Sequence, residues 1–187
     1  MDFDADFFAL FHLPRQFNLD GADLEARYRE VQAHIHPDRF AHAGEAERRR
    51  SLQWATRANE AYQTLKQPLA RAQYLLQLLG HALQADTNTV MDPEFLMEQM
   101  EWREAVQEAR EAGSVDELDD LHHRLRQAIN ARFEELGTLF ATALNPAPEV
   151  ASAAEAAIAG AAELTRRLMF LDRLRHEIDD ALADLDA

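Results

Sequence analysis

Residues 20–66 read DGADLEARYREVQAHIHPDRFAHAGEAERRRSLQWATRANEAYQTLK, two helical stretches on either side of His36-Pro37-Asp38. Asp20 is a favourable N-cap for the first helix. Pro37 must end that helix, because proline has no N–H to donate and disfavours helical geometry at the residue before it. The pattern predicts a helical hairpin whose loop presents the tripeptide at the surface, where it would contact another protein.

Apolar side chains recur at helical spacing in both stretches. In the first helix they are Leu24, Tyr28, Val31 and Ile35. For the second helix, predicted from about Glu45 to Lys66, we expect one side to hold Leu52, Ala55, Asn59, Tyr62 and Leu65. These two stripes would face each other across the hairpin.

The rest of the chain is also helical in its spacing, and β-branched residues are scarce. Phe7 to Phe11 form a short apolar opening, and a helix that starts at Pro68 ends before Gly80. Three later helices are predicted over about 93–112, 115–144 and 149–185. Short breaks between them favour an antiparallel bundle. The fold class is therefore all-α, with a hairpin domain over 1–80, a linker over 81–92 and a three-helix bundle over 93–187.

Composition narrows the possible functions. A net charge of −15 argues against nucleic-acid binding, which needs a basic surface. Residues 81–187 hold 23 acidic and 9 basic residues whereas residues 1–80 are nearly balanced, which suggests two modules with different partners. The alternative is that the negative charge only maintains solubility. No apolar run could span a membrane, and the acidic N-terminus is unlike a signal peptide, so we expect a cytoplasmic location.

The sequence offers no basis for an enzyme, a cofactor or a metal site. It has no cysteine, which excludes disulfides, thiol catalysis and cysteine zinc sites. It also has no Gly-rich phosphate loop, no His-Glu-x-x-His motif and no Ser/His/Asp elbow. His34 and His36 diverge on a helix, so they are not expected to share a metal ion.

The front of the chain resembles a J-domain. Beyond the tripeptide, FALFHLP at 8–14 and NEAYQTL at 59–65 are similar to that family's flanking signatures. The resemblance implies docking onto a DnaK-class ATPase chaperone through the loop and a basic face beside it. The chaperone-binding residues would be His36, Pro37, Asp38, Arg27, Arg29 and Arg39. One departure is Ala33, where relatives often carry a basic residue.

The helix over 93–112 carries a second apolar patch. At about 100° per residue, Phe95, Trp102 and Val106 share a core-facing arc. Leu96, Met97 and Met100 lie on the opposite side among glutamates, as expected for an adaptable contact surface. Phe170 likewise lies about 100° off the apolar stripe of its helix, so we expect it to be exposed in the bundle. The alternative is that helix packing buries both sides.

Nearly the whole chain, from about residue 7 to 178, resembles the HscB family, the J-type co-chaperones of bacterial iron–sulfur cluster assembly. The similar stretches are FLMEQMEWRE at 95–104, PLARAQYLL at 68–76 and MFLDRL at 169–174. The resemblance implies that the chain delivers an IscU-type scaffold protein to the chaperone HscA and stimulates its ATPase. It implies scaffold contacts at Leu96, Met97, Met100, Glu101, Glu104, Glu108 and Phe170.

Two other functions remain open from the sequence. The chain could be a general protein-folding co-chaperone whose bundle binds unfolded clients. It could also be a helical oligomerisation module without a chaperone partner.

Overall fold

The computed structural model describes residues 5–36, 40, 44–83, 93–145 and 151–185. Seven helices lie in these ranges: α1 Phe7–Leu10, α2 Gly21–Ile35, α3 Glu45–Lys66, α4 Pro68–Leu78, α5 Pro93–Ala112, α6 Val115–Leu144 and α7 Ala151–Leu185. The described residues contain no strand, and the predicted all-α fold class is confirmed.

The chain divides into two compact units, Met1–Leu78 and Leu79–Ala187. The predicted boundaries at 80 and 93 remain predictions, because much of the intended linker, residues 84–92, lies outside the described residues. The turn predicted at 145–148 falls largely outside them too, as does the predicted start of the last helix at about Glu149.

In the first unit α2 and α3 form an antiparallel hairpin. The Asp20 side chain caps α2 by accepting a hydrogen bond from the Ala22 N–H at 2.8 Å, as predicted. Midway along the pair, the Tyr28 ring stacks on Tyr62 with 4.2 Å between centroids. The Tyr28 hydroxyl donates to Asn59 Oδ1 at 2.6 Å. These contacts set the register of the two helices.

The buried face of α3 differs from the predicted one. It consists of Ser51, Trp54, Ala58, Ala61 and Leu65. Leu52, which we expected to face α2, is 56% exposed. The helix is rotated so that the large Trp54 side chain enters the core, where Ala58 and Ala61 allow close packing. This rotation leaves Leu52 at the surface.

Helices α1 and α4 complete this unit. Phe8 and Phe11 are fully buried, as are Leu75 and Leu76 of α4. The Tyr74 hydroxyl accepts a hydrogen bond from the Phe7 N–H at 2.9 Å, and the two rings stack at 4.4 Å. The short N-terminal helix is therefore part of the core.

Asp6 fixes the start of α1 and gives this unit a pH dependence. Burial by itself raises the pKa of the Asp6 carboxyl, but hydrogen bonds from the Ala9 N–H and from Arg15 outweigh it, so the pKa lies below its usual value. The Asp6–Arg15 distance is 2.6 Å. Because the folded-state pKa is lowered, this contribution to stability is present above the unfolded pKa and is lost as the pH falls through the folded pKa.

We expect Asp6→Asn to destabilise the first unit by about 1 kcal/mol at pH 7, because asparagine can still cap α1 but loses the charge-assisted hydrogen bond from Arg15. The difference from wild type should shrink as the pH falls below about 4, because the unfolded carboxyl takes up its proton there while the folded one, whose pKa is lower, keeps its charge until a lower pH is reached. Urea unfolding at a series of pH values measures both effects. A difference that is constant down to pH 2 would contradict the role of the carboxylate.

In the second unit α6 and α7 form a long antiparallel pair, and α5 packs against both. The core combines Val106 and Ala109 of α5 with apolar residues of the other two helices: Leu118, Leu121, Leu125, Leu171, Leu174, Ile178 and Ala181. The Ser114 hydroxyl caps α6 by accepting from the Glu117 N–H. Gly113 between α5 and α6 has a φ of 62°, a left-handed conformation that favours glycine.

Candidate protein-binding sites

The outward face of α5 exposes three large apolar side chains. Leu96 is 42% exposed, Met97 63% and Met100 70%. The opposite side of the same helix buries Phe95, Val106 and Ala109 in the core. The alternative that packing buries both sides is therefore wrong for this helix.

Carboxylates continue this apolar surface along α5. Glu101, Glu104 and Glu108 are all exposed, at the spacing that puts residues three and four apart on neighbouring positions of one face. A shallow groove of about 460 Å³ runs beside Met100 and is lined by Arg103, Glu104, Gln107, Glu108 and Glu111. We call Leu96, Met97 and Met100, together with Glu101, Glu104 and Glu108, the α5 face. It suits a partner surface with apolar groups surrounded by cations.

Aromatic and cationic side chains hold α5 in place. The Phe95 and Phe170 rings meet edge to face with 5.9 Å between centroids. The Arg167 guanidinium lies 5.1 Å from the Phe95 ring centroid, and that of Arg103 lies 5.6 Å from the Phe170 ring centroid. These contacts tie α5 to α7, so the orientation of the α5 face depends on them.

Two contacts tie α5 to α6 as well. Arg132 donates to Glu98 in an ion pair with both side chains largely covered. The Arg124 guanidinium lies 5.4 Å from the Trp102 ring centroid. The sequence reasoning did not identify these supporting arginines, since a helical wheel of one helix contains no information about charges contributed by its neighbours.

Phe170 occupies a less exposed position than we expected. Its ring is half-buried against Phe95 with Arg103 above it. It lies next to the α5 face and also forms part of the packing beneath it. Any role of Phe170 in binding is therefore inseparable from its role in holding α5.

The tripeptide begins at the C-cap of α2. His36 is exposed and leaves the helical conformation, with φ −56° and ψ 128°. Ser51 of α3 donates its hydroxyl to the Ile35 carbonyl at 2.7 Å in a buried hydrogen bond. This bond satisfies one of the carbonyls that a helix end leaves without an intrahelical partner, and it fixes where the loop leaves α2. Pro37, Asp38 and Arg39 lie outside the described residues.

The arginines predicted for chaperone binding on α2 are engaged within their own helix. Arg27 Nε lies 3.2 Å from Asp23 Oδ1, and Arg29 pairs with Glu25. Over its whole length α2 holds three acidic and two basic residues. The face that we expected to be basic is thus locally neutralised.

In the described parts of the chain, no group of three or more His, Asp or Glu side chains is placed to hold a metal ion. None of the helices in those ranges is long and apolar enough to cross a membrane.

Comparison with known proteins agrees with both units. The family described as "HSCB C-terminal oligomerisation domain" matches residues 91–179. A co-chaperone protein HscB homologue from Azoarcus sp. (strain BH72) is 53% identical over 100% of this chain and 98% of its own length. The solved chaperone HscB from Vibrio cholerae is 35% identical, with a TM-score of 0.79 over 97% of this chain and 99% of that one. Human co-chaperone protein HscB gives a TM-score of 0.83 at 27% identity, covering 96% and 83%. The chain therefore belongs to the HscB family of J-domain co-chaperones.

Proposed function

We propose that this protein binds an IscU-type iron–sulfur scaffold protein, delivers it to an HscA-type chaperone of the DnaK class and stimulates the ATPase of that chaperone. The observation that carries the proposal is the α5 face, which exposes Leu96, Met97 and Met100 within an acidic surround. Because these side chains are exposed, they contribute little to the protein's own core. They are the kind of surface that a specific partner covers.

The chemistry of the face favours a folded partner with its own apolar anchors and cations. Methionine adapts its shape to a partner because its side chain is unbranched and flexible. Carboxylates at the rim contribute mainly to the rate and orientation of association. Such a combination favours one scaffold protein over a broad set of unfolded clients, which would need a larger apolar surface.

The first unit would supply the chaperone contact. Pro37 restricts the loop, and Asp38 would present a carboxylate that a chaperone arginine can bind in a bidentate pair. His36 lies at the start of this contact, and Arg27, Arg29 and Arg39 are the cations predicted to surround it. Since scaffold and chaperone would contact different units, one molecule could bind both at once. No catalytic residue or cofactor is assigned to the chain.

Asp38→Asn tests the proposal. The change keeps the size of the side chain but removes its charge, so the bidentate pair is lost, and we expect stimulation of the chaperone ATPase to fall at least about tenfold. Steady-state ATPase assays with an HscA-type chaperone and a titration of the full chain measure the effect. Calorimetry with the scaffold protein should give the wild-type affinity.

Asp20→Asn is the matched control, because it makes the same chemical change on the same unit and asparagine also caps helices well. It should stimulate like wild type. If Asp38→Asn retains full stimulation, the chaperone contact is wrongly assigned to the loop. If the wild-type chain neither binds the scaffold nor stimulates the chaperone, the proposed function is wrong as a whole.

A further inference from the structure

The two halves of α5 are attached to the second unit in different ways. The core cluster of this unit includes four residues from the C-terminal part of the helix: Trp102, Ala105, Val106 and Ala109. Within residues 93–101, only Phe95 is buried. The three apolar side chains of the α5 face all lie in this first half. Core packing therefore accounts for little of the position of the side chains that are proposed to bind the scaffold.

Three arginines from the neighbouring helices contact α5 where core packing does not hold it. Phe95, Glu98 and Trp102 are spaced i, i+3 and i+7, so they follow one another along one side of the helix. Each of these side chains meets the guanidinium of one arginine from α6 or α7. In their order along α5, these arginines are Arg167, Arg132 and Arg124. We call these three arginines the arginine row.

The two arginines nearest the start of α5 are also fixed to their own helices. Arg132 donates to the Ala128 carbonyl, one turn earlier on α6, at 3.3 Å. Arg167 Nε lies 3.5 Å from a carboxylate oxygen of Glu163 on α7. Each guanidinium thus has one contact on its own helix and another on α5. The position of the first half of α5 therefore follows from the positions of α6 and α7.

The Arg132–Glu98 ion pair is better suited to fix a direction than to add stability. Its side chains are 21% and 25% exposed, so both charges have lost much of their hydration. The cost of this desolvation offsets much of their attraction, and an apolar contact of similar size would hold the helices together about as well. A guanidinium and a carboxylate, however, bond well only over a narrow range of geometries. The pair therefore restricts rotation of α5 about its own axis.

We infer, on the basis of the proposed scaffold binding, that the arginine row orients Leu96, Met97 and Met100 towards the scaffold, with Arg132 as its principal member. Glu98 lies between Met97 and Met100 in the chain, so a rotation of α5 that breaks the ion pair also turns these side chains. A binding surface needs such support, because its side chains must be held close to the productive geometry. Arg132 is a positioning residue that acts through Glu98.

Replacing the whole ion pair by apolar side chains of similar size, as Arg132→Met with Glu98→Leu, separates orientation from stability. We expect the Kd for an IscU-type scaffold, measured by calorimetry on the full chain, to rise about fivefold. The midpoint of thermal unfolding should shift by less than about 3 °C, because the desolvation cost is removed together with the attraction. A residue that only stabilises the bundle would not give this combination.

The two single variants complete a double-mutant cycle. Arg132→Met alone should raise the Kd at least about fivefold, since it leaves Glu98 without its partner. In the Arg132→Met background, Glu98→Leu should weaken binding by no more than about a further twofold, because the pair is already absent. Arg132→Lys keeps the positive charge and should bind within about twofold of wild type.

Arg175→Met is the matched control, because Arg175 is engaged within α7, at 3.0 Å from Asp172 and 3.3 Å from Asp179. It should bind the scaffold like wild type. Methyl NMR of methionine-labelled protein reports orientation directly and without scaffold. The signals of Met97 and Met100 should shift in the variant that lacks the ion pair and stay in place in the control.

Arg132 is wrongly assigned as a positioning residue if the variant that lacks the ion pair binds like wild type, or if its loss of affinity occurs only with a matching loss of thermal stability. Equal effects of Glu98→Leu with and without Arg132 would also contradict the assignment, because Glu98 would then contact the scaffold by itself. Normal binding by these variants, with loss of binding in the triple alanine variant of Leu96, Met97 and Met100, would leave the proposed function standing. Absence of scaffold binding by wild type would remove both.

Discussion

Replacing Leu96, Met97 and Met100 together by alanine should weaken binding of the IscU-type scaffold at least about a hundredfold. Each side chain, if it acts as an anchor, contributes on the order of 2 kcal/mol, and the three effects are not additive because the side chains are neighbours. All three are exposed, so their removal leaves no cavity in the core. Alanine also has the highest helix propensity, which should keep α5 intact.

Isothermal titration calorimetry of the full chain against the scaffold protein measures this loss. Leu185→Ala is a matched control, because Leu185 is 42% exposed on α7, the same value as Leu96. It should bind like wild type. Unchanged affinity in the triple variant would refute the α5 face as the scaffold site, and equal loss in the control would indicate a general effect of apolar exposure.

Phe170 is left out of this variant for a structural reason. Its ring packs on Phe95, and the Arg103 guanidinium lies over it. Phe170→Ala would therefore alter the position of α5 as well as the surface. A loss of affinity in that variant would not show whether Phe170 contacts the scaffold directly or only holds α5 in position. The three side chains of α5 give a cleaner test of the same surface.

Arg71→Ala should destabilise the first unit by about 3 kcal/mol, because it leaves a buried carbonyl unsatisfied and a cavity beside it. Arg71 is 8% exposed, and its guanidinium donates to the Leu65 carbonyl near the end of α3. It also lies 5.1 Å from the Phe17 ring centroid. Burial lowers the pKa of Arg71 to about 10, since desolvation disfavours its charged form.

The sign of this shift shows that burying the charge opposes folding at neutral pH. A base whose pKa is lowered in the folded state binds its proton more weakly there than in the unfolded chain. The hydrogen bond to Leu65 and the contact with Phe17 must therefore offset that penalty in the wild type. Arg71→Met, which preserves much of the volume without the charge, should be less destabilising than Arg71→Ala.

Urea unfolding followed by Trp54 fluorescence reports on the first unit, provided that the second tryptophan is removed as Trp102→Phe in every protein compared. Trp54 is buried in the wild type. Gln77→Ala, an exposed position on the same helix α4, should change the stability by less than about 0.5 kcal/mol. A loss below about 1 kcal/mol for Arg71→Ala would contradict the structural role assigned to the buried guanidinium.

Local signals in the sequence predicted the helices closely. The limits of α3, α5 and α6 agree with those predicted, because glycine, proline and capping residues stop or start a helix through backbone geometry that each residue carries itself. The outward position of Leu96, Met97 and Met100 was also predictable, since the core stripe of α5 is strongly periodic. The exposed fractions of these three side chains then exclude the alternative that both sides of α5 are buried.

Helix α3 shows where periodicity alone was insufficient. Two nearly equivalent stripes run along it, one through Leu52 and Ala55 and one through Ser51 and Trp54. Both contain apolar residues at helical spacing, so the choice depends on what α2 presents to it. Tyr28 holds Asn59 and Tyr62 of the first stripe against α2, but the burial of Ser51 and Trp54 turns the beginning of that stripe, at Leu52, away from the core. The exposure of Leu52 follows from that arrangement.

The sequence by itself determined the helical fold class, the tripeptide after α2 and the apolar side chains that α5 leaves outside its core stripe. Each of these depends on residues close together in the chain. Only the tertiary structure decided which face of α3 is buried and that Phe170 supports α5. Those outcomes depend on the competition between side chains for the same partners, which is resolved only when the helices pack.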